Sequence, residues 1–72
     1  MTLEQILNKE KERRTENGMF GINACKDSIR LRVNHSGENL YVLLKEFVKR
    51  ANEDVFFNKA MVLACWELMN EK

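Results

Sequence analysis

Ser28-Ile29-Arg30-Leu31-Arg32-Val33 alternates polar and apolar residues without a break, and the reading of these six residues decides the fold. In a strand successive side chains point to opposite faces, so Ile29, Leu31 and Val33 line one side and Ser28, Arg30 and Arg32 the other. Such a strand needs a neighbour for its edge and a cover for its apolar face. Two neighbours offer themselves: the preceding segment of the same chain, or the same strand in a second copy.

Upstream, Phe20, Ile22 and Ala24 also fall on alternate positions, as far as a polar break at Lys26-Asp27. A two-residue turn at that break pairs Ala24 with Ile29, Ile22 with Leu31 and Phe20 with Val33, and every large apolar residue then shares one face. Lys-Asp lacks the Asn-Gly character that a type I′ turn requires, and Gly21 weakens the first strand. The expectation is a β-strand or β-hairpin over about 19–34, with the choice between the two pairings open.

Helical patterns flank this stretch. Thr2 with Gln5 three places on has capping-box spacing and opens a short helix that the Asn17-Gly18 pair ends. Leu3, Ile6 and Leu7 give it one apolar patch, and the charged run from Lys9 to Glu16 leaves only the first two turns able to dock. After a loop at Asn34-His35-Ser36-Gly37, Leu40, Leu43, Leu44, Phe47, Val48 and Ala51 recur at the period of an amphipathic helix over about 38–52. Asn58 is placed to cap a last helix over about 58–70. There Phe57, Met61, Ala64, Cys65 and Leu68 form one stripe, and Val62, Trp66 and Met69 form another beside it. A helix apolar around so much of its circumference is buried on two sides, more than one hairpin and two helices can easily cover, which points to a homodimer. The fold class expected is thus α+β, a single domain over 1–72 with a helical extension at 1–17 and a strand-helix-helix core at 28–70.

Composition bounds the function. With 72 residues, 44% hydrophobic and 32% charged, the chain is one small domain of a size that often gains stability from metals, disulfides or oligomerisation. Cys25 and Cys65 stand 40 positions apart with one histidine in the chain, so no structural-zinc set can be assembled and both read as reduced thiols. His35 reads as a solvated loop residue, the carboxylates fall on solvated faces, and the three glycines stand apart; no catalytic residue, metal or cofactor is expected. The amino terminus lacks the apolar core of a signal peptide and no stretch approaches a bilayer span, so a cytoplasmic protein without a membrane partner is expected. A net charge of +1 leaves any nucleic-acid footprint to local placement of charge.

In order, length and pattern, residues 28–70 resemble the ribbon-helix-helix family of DNA-binding proteins: the strand S-I-R-L-R-V-N, the turn N-H-S-G-E-N, the helix L-Y-V-L-L-K-E-F-V-K-R-A, the break N-E-D-V-F-F and a second helix opening at N-K-A-M. The resemblance implies a dimer whose paired strands enter the major groove, as a small repressor or autoregulator of phage or plasmid type. By position, Ser28, Arg30 and Arg32 would contact bases, while Lys26, Asn58 and Lys59 would contact phosphates. Ile29, Leu31, Val33, Phe57, Met61 and Trp66 would build the dimer or partner interface. Residues 1–27 depart from the family, which carries a short arm there, and the break before the last helix lacks the family's frequent glycine. The other expectation is an α-β-β-α-α interaction module or inhibitor that binds a partner protein, with Trp66, Phe56, Phe57 or Tyr41 as anchors.

Overall fold

The computed structural model describes residues 1–17 and 21–71. Among them lie four helices and no strand: α1 (Leu3–Asn17), α2 (Ile22–Ser36), α3 (Leu40–Glu53) and α4 (Ala60–Met69). The α+β expectation is overturned, and the protein is all-helical over these residues. Gly18, Met19 and Phe20, used in the expected helix stop and hairpin, lie outside the described residues.

The decisive stretch is the middle of α2. Over a longer window Ile22, Cys25, Ile29 and Val33 recur at i, i+3, i+7 and i+11, a helical face whose first three members are buried and whose fourth packs at its margin. Leu31, which a strand would place inside with Ile29, is 59% exposed. Six alternating residues contain an i,i+4 pair, Ile29 and Val33, so the alternation fits either period. Two glycines in the left-handed region bound the helix: Gly21 at φ 87° and Gly37 at φ 67°. The Gly37 amide donates to the Val33 carbonyl at 2.9 Å, a C-terminal closure that glycine adopts without strain. Asn34, His35 and Ser36, expected as loop, are therefore the last turn of α2.

The Thr2–Gln5 capping box is present. The Gln5 amide donates to Thr2 Oγ1 at 3.2 Å and the Thr2 amide to Gln5 Oε1 at 2.9 Å. Leu3, Ile6 and Leu7 dock as their spacing demands, but the contact runs beyond two turns, because Glu10 and Arg14 continue the same stripe. Glu10 is 4% exposed and accepts two hydrogen bonds from Arg13, at 2.9 and 3.0 Å. In α3 the Asn39 side chain caps the Tyr41 amide at 2.7 Å, and Leu43, Leu44, Phe47 and Ala51 are buried.

α4 is the centre of the molecule and packs against α1, α2 and α3. Val62, Leu63, Ala64 and Cys65, four consecutive residues facing all directions, are each fully buried. The second apolar stripe, which argued for a dimer, is covered from within: with a helix in place of the hairpin, three neighbours surround α4. Its one charge, Glu67, pairs with Arg14 of α1 and with Lys26 of α2 at 3.8 Å, joining three helices at one end.

Candidate protein-interaction surface

The residues expected to meet nucleic acid do not form a basic face. Side chains two apart on a helix diverge by roughly 200°, so Arg30 and Arg32 leave α2 in nearly opposite directions. Arg30 pairs with Glu71 at 3.1 Å and Asp27 at 3.3 Å, whereas Arg32 pairs with Glu38 and, at 3.3 Å, with Glu46 of α3. The hydrogen bond that Arg32 donates to Glu38 holds its guanidinium above the ordinary range. Ser28 is exposed, and Lys26 lies half-buried between Glu67 and Glu71. Arg14, Lys26 and Arg30 interleave with Glu67, Glu71 and Asp27, so these cations are engaged in joining helices.

The expected phosphate cradle at the start of α4 is likewise occupied. The Ala60 amide donates to Asn58 Oδ1 at 3.1 Å, the Met61 amide to the Asn58 carbonyl and the Val62 amide to the Lys59 carbonyl, both at 3.0 Å. Asn58 stands one residue before Lys59, the N-cap of α4, and takes the Ala60 amide with its side chain and the Met61 amide with its carbonyl, two donors that would otherwise face an anion. Of the expected interface residues, Ile29 is fully within the chain's own core, and Val33, Phe57, Met61 and Trp66 pack against that core while half-buried. Leu31 alone among them is largely exposed.

The two most exposed large apolar side chains among the described residues lie elsewhere. Val55 and Phe56, between α3 and α4, are 88% and 92% exposed. Their turn is held from inside: Asp54 Oδ1 accepts from the Phe56 amide at 2.9 Å, and the Asp54 carbonyl accepts from the Phe57 amide at 3.1 Å. Phe57 anchors the base, its ring 5.9 Å from that of Phe47 and beneath the Arg50 guanidinium at 4.9 Å. Two adjacent side chains therefore point inward and outward by construction: Phe57 secures the turn that presents Phe56. Val55-Phe56 has a sequence signal, an apolar pair between the cap-forming residues Asp54 and Asn58.

From this turn the outward face of α3 runs back through Glu53, Lys49, Lys45 and Val42, all exposed and spaced by three or four residues. Tyr41, also exposed, stacks under the Lys45 ammonium at 4.6 Å. Beside it Leu3, Tyr41, Leu44, Lys45 and Val48 line a cleft of about 290 Å³ between α1 and α3. One turn beyond Val48, Asn52 Nδ2 donates to the Met1 carbonyl at 2.8 Å and ties the start of the chain to α3. Among the described residues no three His, Cys, Asp or Glu side chains converge to hold a metal. Nor, among the described residues, is any helix long and apolar enough to cross a membrane. No protein-family model, curated protein or solved structure matches this chain.

Proposed function

We propose that the protein is a helical interaction module that binds another polypeptide through the Val55-Phe56 turn and the adjoining face of α3. The observation that carries this reading is the pairing of near-complete exposure with a fixed turn. Burying the Phe56 ring on a partner is worth ~1.5–3 kcal/mol, and a turn already ordered loses little conformational freedom on binding. Aromatic anchors surrounded by mixed charge are what protein interfaces use for most of their affinity. Tyr41, Val42 and the Leu3–Val48 cleft extend the apolar surface along α3, with Lys45, Lys49 and Glu53 setting orientation.

Photo-crosslinking from position 56 in extracts of the source cells tests this. Wild-type protein is expected to join one polypeptide species, identified by mass spectrometry, and Val55→Ser/Phe56→Ser protein carrying the crosslinker at position 42 is expected to lose it. An Arg30→Ala/Arg32→Ala variant retains it. Crosslinking that ignores the Val55/Phe56 change, or recovery of nucleic acid through Arg30 and Arg32 instead, overturns the proposal.

A further inference from the structure

The α3 face is complementary to itself. We infer that the partner which fits it is a second copy of this chain, docked with its α3 antiparallel about a two-fold axis beside Lys49; this rests on the interaction reading above and names its occupant. In an isologous contact residue i meets j and j meets i, so a self-pairing face must carry opposite features at equal distances from its centre. This one does. Lys45 and Glu53 flank Lys49 at four residues on either side, about 6 Å along the axis each way. Antiparallel pairing sets each Lys45 against the other copy's Glu53, twice. Farther out, the exposed Val42 lies at one end and Val55 and Phe56 at the other, so each Phe56 meets the other copy's Val42.

Exposure and charge agree with this placement. Glu53, Lys49 and Val42 are exposed, and the Lys45 ammonium sits over the Tyr41 ring with no acidic partner of its own chain among the described residues. Glu46, on the flank of the face, is drawn aside by Arg32 and does not compete for Lys45. Lys49 alone meets its own copy, a like-charge contact on the axis that weakens the pairing.

Sedimentation equilibrium of the full chain, with circular dichroism as the check of fold, tests the arrangement. Wild-type protein is expected to show a reversible monomer–dimer equilibrium. Lys45→Glu and Glu53→Lys each weaken it roughly tenfold, since two symmetry-related pairs turn repulsive. The Lys45→Glu/Glu53→Lys double exchange restores it, Lys49→Leu tightens it, and Phe56→Ser abolishes it. A wild-type chain that stays monomeric, or a dimer indifferent to the single reversals, overturns the self-pairing. If a monomeric wild type still crosslinks from position 56 to a different polypeptide, the interaction reading stands and the second copy falls; if neither is found, both fall.

Discussion

Cys65 lies wholly inside α4, its thiol 3.3 Å from the Leu40 carbonyl at the start of α3. Burial pushes that thiol from 9.0 up to about 11, because the interior disfavours the thiolate. Below pH 9 the thiol is protonated in folded and unfolded chains alike, and the burial contributes in full. Between pH 9 and 11 only the unfolded chain releases the proton, so stability falls with rising pH, by a total of about 2–3 kcal/mol. Cys25, also raised by burial, adds to the same decline. Urea unfolding on either side of pH 9 should find this loss in wild type and a flatter profile in Cys65→Ala. At Gly37 the cost is backbone rather than burial: an added methyl meets nothing within 4 Å, yet φ 67° remains. Gly37→Ala should lower the unfolding free energy by ~1–2 kcal/mol, read as a drop in melting temperature.

At the scale of elements, Glu67 holds three helices at one end, with Arg14 and Lys26 as its partners and the site only partly exposed. Glu67→Gln is expected to cost about 1 kcal/mol at low ionic strength and less in molar salt, where screening shortens the reach of the lost attraction. A urea series at the two salt concentrations measures the difference. The elements themselves differ in how far the residues announced them. α3 is legible because Leu40 to Ala51 repeats one period for three turns, and α1 because Thr2 and Gln5, three apart, mark the start of a helix. α2 is not, since its apolar residues admit both a stripe through Ile22, Cys25, Ile29 and Val33 and an alternation through Ile29, Leu31 and Val33. The decision is made in α4, distant along the chain, whose all-round apolar surface needs another helix against it; local pattern carries no record of that demand. The interaction face is legible in part. Phe56 reads as an anchor from sequence, while the exposure of Val42 and Leu31 emerges only once the helices have their orientation.

For the whole molecule, one core formed around α4 means that damage to α4 is damage to everything. Leu63, fully buried there, should cost ~2–5 kcal/mol when replaced by Ala. The expected stability of a chain this size is only ~4–11 kcal/mol, so Leu63→Ala should leave a measurable unfolded fraction at ordinary temperature. Native-state hydrogen exchange should likewise find the slowest amides at residues 62–66, opening only with global unfolding. Uniform protection across all four helices would contradict a centre at α4.

The order of the helices gives that centre a further meaning in time. α1, α2 and α3 leave the ribosome before α4, and each finds its principal neighbour only in α4. A nascent chain carrying the first three helices holds Ile6, Ile29 and Phe47 without the helix that buries them, so its folding waits for translation to pass Met69. Until α4 has followed them out of the ribosome, the apolar faces of the first three helices are open to proteases and chaperones.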